Sequence, residues 1–587
     1  MEMSFWQKRV SRRRLLGSAA SLAVVGGGAG LFLPRWSSAR ASQPRQNSFV
    51  LAEDIRHNPP ELAAGQLQGL QWDTAGQPAL RAAGAYGGVY TSPVVATTIA
   101  ATHVGLHWRA DGPGWEQISF RLRTATDGST WSPWRTLYIE AEPNENPRGE
   151  RFASLVAAKG ARYVQYRALL PEGQANAPTL QQVTVTALSA APPDDSFQAA
   201  RATKTPTKTP KTPTPKPAGT PAPTSNAGSL DPPFASGVLI SREDWGAPES
   251  YRYDAWGNEI WPRMYIPTKK IIVHHTATNG NYNTQDPNYP YPSYSADEAV
   301  QEVRAVYYYH AITLGWGDIG YNALIDRFGR IFEGRRGRDS GPHGTREIIS
   351  PDVSAGHALN CNEGSTGISL IGNFEDNQLG PNEEATMVKT LLDFLTWSCR
   401  RFYIPPTASS DFLAVNWAWI GGLPNICGHR DVNATICPGQ YVYARLPEWR
   451  QKVASQLAAT AITKPSAQIT HHPSDAEIAS RSVSFSWKSP DGTSPLFSYY
   501  LEGWIPNLAT DEEYYLTGYT ADKRPAWSSF DAGTSATIPL PQAGRYTFHV
   551  RAKDSKSDGA YEDNWTFVAA TNPQATYTVG APGVSRR

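Results

Sequence analysis

Ile426-Cys427-Gly428-His429-Arg430-Asp431-Val432-Asn433-Ala434-Thr435-Ile436-Cys437-Pro438-Gly439 sets an imidazole and a thiol eight residues apart, and far upstream the apolar run Ile271-Ile272-Val273 ends in His274-His275-Thr276. A buried strand that stops at a histidine, and a glycine- and proline-bounded loop that carries a second histidine and a cysteine, are elements that a central sheet can bring to one edge. Two nitrogen ligands and one thiolate leave a tetrahedral zinc ion with one free coordination position, the ligand count of a hydrolytic site; a closed structural site takes a fourth protein ligand. The chain has no Cys-x-x-Cys pair and no His-Glu-x-x-His helix to supply a competing zinc motif.

Around these segments, residues 237–459 read as a mixed α/β domain. Lys269 to His275 is a buried strand, and Ser295-Ala296-Asp297-Glu298 is a capping box that opens a helix with Val300, Val303, Tyr307 and Leu314 on one face, ended by Gly315. Tyr321 to Ile325 and Arg330 to Glu333 form a hairpin about Arg327-Phe328-Gly329, and Gly367 to Gly372 is another buried strand. Asn382 to Phe402 is helical with Met387, Leu391, Phe394 and Leu395 on its apolar side, and a last helix runs from near Pro447 to Leu457. Strands alternating with helices put a mixed, covered sheet at the centre. Tyr282 to Tyr294, Gly334 to Val353 and Pro406 to Leu423 are long insertions, read as rims of a groove or as inert loops.

On either side the period changes to two. Within 49–190, Val104, Leu106 and Trp108 alternate, as do Ile118, Phe120 and Leu122, then Val164, Tyr166 and Ala168, then Val183, Val185 and Ala187, which predicts an antiparallel β-sandwich. Trp131-Ser132-Pro133-Trp134 suits either a sugar-binding face or packing, and packing is the commoner use of tryptophan in such folds. Residues 465–570 repeat the pattern through Val483, Phe485 and Trp487 and through Tyr546, Phe548, Val550 and Ala552, similar to a fibronectin type III or immunoglobulin-like module; 571–587 reads as a disordered tail. Between the first two domains, 200–236 is a Thr/Pro/Lys-rich linker, extended and solvated, with a reach on the order of 100 Å at about 3.1 Å per residue.

Residues 1–41 read as an export signal. Ser11-Arg12-Arg13-Arg14-Leu15-Leu16 leads a glycine-diluted apolar stretch to Leu33, followed by Ala39-Arg40-Ala41, a small-x-small cleavage site. The paired arginines make it of the twin-arginine type, with a Sec signal or an uncleaved anchor as the alternative. Both place the remainder outside the cytoplasm, extracellular or wall-associated, with no membrane contact beyond this segment. A net charge of +1 argues against nucleic acid as a partner, because no basic excess is available to neutralise phosphates. With Cys437 assigned to metal, Cys361, Cys399 and Cys427 allow at most one internal pair, in any of three ways.

Five segments then carry a resemblance. Arg242-Glu243-Asp244-Trp245-Gly246-Ala247, Val273-His274-His275-Thr276, Trp316-Gly317-Asp318-Ile319-Gly320-Tyr321-Asn322, Gly367-Ile368-Ser369 with Ile371-Gly372-Asn373-Phe374, and Gly428-His429-Arg430-Asp431 through Cys437-Pro438-Gly439 resemble the peptidoglycan recognition protein family, which shares its fold with zinc-dependent type 2 N-acetylmuramoyl-L-alanine amidases. The resemblance covers roughly Val238 to Leu457 and neither β domain. It implies a Zn2+ site made by His274, His429 and Cys437, with Tyr321 and Thr435 as catalytic hydrogen-bond donors, and Trp316 and His357 as substrate contacts. It implies hydrolysis of the amide between N-acetylmuramic acid and L-alanine in peptidoglycan. Family members that lost the cysteine bind glycan without cutting it, so a peptidoglycan-binding tether is the rival reading, and a zinc amidase for another amide is a third.

Overall fold

The computed structural model describes residues 50–190, 234, 237–459 and 467–569, apart from short stretches within them (74–76, 85, 142–145, 173–176, 265, 267, 279–288, 338, 340–345, 403, 416–417, 490–494, 507–513, 519–525 and 554–561). The export signal, nearly all of the linker and the C-terminal tail lie outside the described residues, as does most of the Tyr282 to Tyr294 insertion. No helix among the described residues is long and apolar enough to cross a membrane.

At the centre, six strands form one sheet in the spatial order Leu239–Ile240, Ile331–Glu333, Ala323–Ile325, Ser365–Leu370, Lys270–His275, Ile426–Gly428. The pairings are parallel except that between Ala323–Ile325 and Ile331–Glu333, which is the hairpin. Every residue of Lys270–His275 and of Ser365–Leu370 is buried, so neither strand keeps a solvent-facing side. Helices Lys389–Phe402 and Leu446–Ala459 cover one face through Leu391, Phe394, Leu395, Trp449 and Val453, which pack on Ile271, Val273, Ile368 and Ile426. Helix Ala296–Tyr308 lies against the other, with Val303 and Tyr307 in the cluster that includes Leu324 and Phe332. Its Ser295 hydroxyl accepts from the Glu298 N–H while Glu298 Oε2 accepts from the Ser295 N–H, the reciprocal cap anticipated from sequence. The helix does not run unbroken to Gly315, because a π-helical turn, Tyr309–Thr313, follows it and turns His310 inward.

The N-terminal strands pair antiparallel throughout and join into one network of twelve. Register shifts along Val95–Asp111 and Val156–Leu170 let each long strand pair with several partners, so the sheet folds over its own core. The alternating residues read from sequence, Val104 through Ala187, all lie in that core. Trp131 and Trp134 do not: both are half-buried, with the Arg123 guanidinium 4.7 and 4.6 Å from the two ring centroids and Arg167 4.4 Å from that of Trp134. The ring faces are thus in part occupied by cations. C-terminally, a three-stranded and a four-stranded sheet share one cluster in which Phe485 stacks on Phe548 at 3.9 Å.

The insertion Pro406 to Leu423 is largely a hairpin, Ser409–Leu413 against Trp419–Pro424. Its anchor is the Lys270 ammonium, which donates to Ser410 O, Leu423 O and Asn425 Oδ1 at 2.8, 2.6 and 2.7 Å; burial lowers this lysine to about 8.

Candidate metal centre and its surroundings

The C-terminal end of Lys270–His275 and the turn after Ile426–Gly428 are adjacent because those two strands pair in parallel. His274, His429 and Cys437 converge there, their ligand atoms all within 4.8 Å of one another. The turn is built to hold this position. Asp431 accepts from the Gly428 N–H at 2.8 Å and from the Tyr443 hydroxyl at 2.5 Å, while Cys437 O accepts from the Arg430 N–H at 2.9 Å, closing the loop. Gly439 follows at φ +85°, where a Cβ would lie 2.2 Å from the Phe374 carbonyl carbon, so this close approach requires glycine.

Each candidate ligand has a partner on its far side. His274 Nδ1 faces Cys437 Sγ at 3.6 Å, and its Nε2 lies 3.1 Å from His357 Nδ1. His429 Nε2 donates to Asn433 Oδ1 at 3.1 Å, and the Asn433 amide donates in turn to Leu359 O. Cys437 Sγ accepts from the His275 N–H at 3.4 Å. Fixing the outer nitrogen of a histidine sets which nitrogen is left for a metal, and such partners are a regular companion of metal-binding imidazoles. The donor set, two imidazoles and a thiol with these partners, fits a divalent zinc ion with one position left open.

His275 points away from the cluster, and its Nδ1 accepts from the Phe374 N–H at 3.1 Å. His357 is buried under His274, packed so closely on Gly367 that a Cβ there would lie 2.3 Å from its ring. Trp316 is buried as well, its ring 4.9 Å from that of His310. Thr435 Oγ1 accepts from the Cys437 N–H at 3.2 Å, which spans the ligand loop and leaves the hydroxyl proton free to be donated elsewhere. The Tyr321 ring stands 5.4 Å from the His274 ring. Its backbone is fixed from both sides: Asp318 accepts from Arg242 at 2.8 Å and Arg335 at 3.0 Å, while Asn322 Oδ1 accepts from the Gly367 N–H at 2.8 Å. Burial raises Asp318, but Arg242, Arg335 and Arg252 outweigh it and hold the carboxyl below its usual range.

Two residues at this site carry no sequence motif. Glu140, from the N-terminal sheet, approaches Tyr321 and His310, and His310 comes from the π-helical turn. All four cysteines are buried and unpaired.

Electrostatics keep the metal-free cluster uncharged. Burial, with the neighbouring histidines, lowers His274 well below 6.5, burial lowers His429 to about 4 against Asn433 and Glu140, and burial pushes the Cys437 thiol upward. Metal binding must therefore displace the thiol proton. His275 and His357 are each lowered to about 3, chiefly by burial. In the unfolded chain they titrate near 6.5, so between about 6.5 and 3 the unfolded state binds more protons. Stability is then full above pH 6.5 and falls as pH drops. Each of the two is expected to remove about 2 kcal/mol by pH 5 in metal-free protein. Urea unfolding at pH 7 and pH 5 measures this, and His357→Gln should shrink the difference by about 2 kcal/mol, the share of one imidazole; equal stabilities at the two pH values would contradict it.

Residues 264–440 match the family model described as N-acetylmuramoyl-L-alanine amidase. The chain is 28% identical over 212 residues to peptidoglycan-recognition protein SC2 of Drosophila melanogaster, covering 36% of this chain and 86% of the relative. It is 28% identical over 211 residues to peptidoglycan recognition protein 1 of Mus musculus, covering 36% and 87%. A solved structure of Drosophila PGRP-LB aligns at 25% identity over 36% of this chain and 93% of that one, with a TM-score of 0.25. His274, Tyr321, His429, Thr435 and Cys437 fall inside the family match and Glu140 falls outside it. Residues 264–440 of the central domain therefore carry the match to the N-acetylmuramoyl-L-alanine amidase family, and the central domain is similar to the peptidoglycan recognition proteins.

Proposed function

We propose that the chain is an exported zinc amidase that hydrolyses the bond between N-acetylmuramic acid and L-alanine in peptidoglycan. The observation that carries this reading is the convergence of His274, His429 and Cys437 beside Tyr321, three donors among the described residues. These three residues would hold a zinc ion, which would supply a Lewis acid for the scissile carbonyl and activate water, as an unactivated amide requires.

The chain's own residues do the rest. His357 and Asn433 hold the two imidazoles at fixed tautomers, so the ligands are in place before metal arrives. The Tyr321 hydroxyl and Thr435 donate hydrogen bonds to the oxygen that gains charge as the carbonyl becomes tetrahedral. Burial, with Glu140 and Cys437, holds the Tyr321 phenol well above its usual range, so it stays protonated and serves as a donor at neutral pH. Trp316, packed behind His310, supports the wall of the site and contacts substrate only if the wall opens. The twin-arginine type of signal suits a protein whose reduced Cys437 takes up metal before export.

Purified full-length protein incubated with muropeptides tests the reading. Stem peptide should be released, and chelator should stop the release. Binding without release makes the protein a peptidoglycan tether, and products whose masses show another bond cut make it an amidase of a different substrate.

A further inference from the structure

We propose that the N-terminal sheet domain is part of the amidase site: Glu140 is a positioning residue that, held by His310, orients the Tyr321 hydroxyl beside the His274, His429 and Cys437 cluster. The inference rests on the amidase reading for its kinetic consequence but not for its geometry.

The hydrogen-bond chain has a direction. The Gly320 N–H donates to His310 Nδ1 at 3.0 Å, so the ring proton lies on Nε2, which donates to Glu140 Oε1 at 3.0 Å. The same carboxylate oxygen lies 3.4 Å from the Tyr321 hydroxyl. The carboxylate is only 18% exposed, and its position is fixed by a backbone-anchored imidazole. Before substrate arrives the single hydroxyl proton rests on this carboxylate through a long bond that fixes the hydroxyl beside the cluster, and it turns from there to the stronger acceptor that a carbonyl oxygen becomes as it gains charge.

The contact is part of a built interface. Phe152, Leu155 and Leu188 of the N-terminal domain share one apolar cluster with Val306 and Tyr309 of the central domain. The Tyr309 hydroxyl donates to Ala153 O at 2.8 Å, and His103 Nε2 meets Glu302 Oε2 at 2.9 Å with both side chains buried. A small cavity at this seam is lined by Glu140 and Leu155 from one domain and Thr276, Tyr309, His310 and Tyr321 from the other. The carboxylate also reaches the cluster electrostatically: after burial, it is among the causes that raise both the Tyr321 phenol and the Cys437 thiol. A domain that only anchored the enzyme to a wall would have no need to place a carboxylate here.

Glu140→Gln in the full chain keeps the side-chain shape and removes the charge. Expected is a fall in kcat of about tenfold or more, with KM within about threefold and zinc content unchanged. The Glu140→Gln, Tyr321→Phe double variant should be no slower than Tyr321→Phe alone, since the two act as one unit, and Glu140→Asp should restore part of the loss. A kcat within twofold of the parent, or two losses that multiply, overturns the proposal. A readout free of turnover is the 19F resonance of 3-fluorotyrosine placed at position 321, which should move with Glu140→Gln. An unmoved resonance overturns the contact itself. A moved resonance in a protein that releases no stem peptide supports the contact and removes the amidase reading instead.

Discussion

Replacing Cys437 with serine is expected to abolish stem-peptide release and to weaken zinc binding roughly a hundred- to a thousandfold, because structural zinc binding is worth about 10–16 kcal/mol shared among three or four ligands. Serine fills nearly the same space, so the fold should survive, and a cysteine that served only as a small apolar core residue would leave zinc content untouched by this change. The neighbouring thiols give the control. Cys399 is buried in the helix Lys389–Phe402 and Cys427 in the strand leading to the turn, and burial alone raises the first while dominating the second. Cys399→Ser should cost stability and leave metal content and turnover alone. The two variants are compared by elemental analysis of protein purified from the same medium and by release of peptide from muropeptides. Full zinc occupancy in Cys437→Ser would remove the thiol from the site and with it the argument for an open, three-ligand centre.

The apolar frame of this protein was legible because its periods are long and uninterrupted. Val104 through Ala187 and Tyr546 through Ala552 alternate over enough residues that only one face can be core, and helix Ala296–Tyr308 announces its start with a capping box. The convergence of His274, His429 and Cys437 was legible for a different reason: they are chemically scarce side chains at the ends of elements, where a sheet brings distant segments together. What could not be read was anything that depends on how one domain meets another. Glu140 lies in a short strand, Ile139–Ala141, with no motif around it, and it is 181 positions from Tyr321. His310 was hidden because the sequence continues a helical period through it, whereas the backbone changes to a π-helical turn that rotates it toward the seam. The linker between 200 and 236 suggested separate domains on a long tether, yet residues on its two sides share an apolar cluster, since a long connection permits contact as readily as distance. The form of the stretch from Pro406 to Leu423 was not legible either, because the hairpin of Ser409–Leu413 with Trp419–Pro424 is pinned by a buried lysine that belongs to another strand.

Tyr321→Phe is the second large effect, and it separates chemistry from architecture. The substitution removes one oxygen from a ring that is otherwise fully packed at 6% exposure, so neither the fold nor the ligand cluster 5.4 Å away has reason to move. What is lost is a donor, and loss of one donor to a developing oxyanion typically costs about 2.7–4 kcal/mol, roughly a hundred- to a thousandfold in kcat. KM should change by less than about threefold, because the charge that the hydroxyl meets is absent from the ground state. Zinc content should equal that of the parent, the opposite of the Cys437→Ser result, so the two variants together tell a failure of metal capture from a failure of catalysis. The direction of the argument matters for the rival reading. In a protein that only binds peptidoglycan, Tyr321→Phe would leave muropeptide affinity and zinc content nearly unchanged, with no release of stem peptide before or after the substitution. A tenfold or smaller loss of kcat would shift the donor role to Thr435, whose hydroxyl proton is left free by the bond it accepts from the Cys437 N–H, and Thr435→Val would then carry the larger penalty.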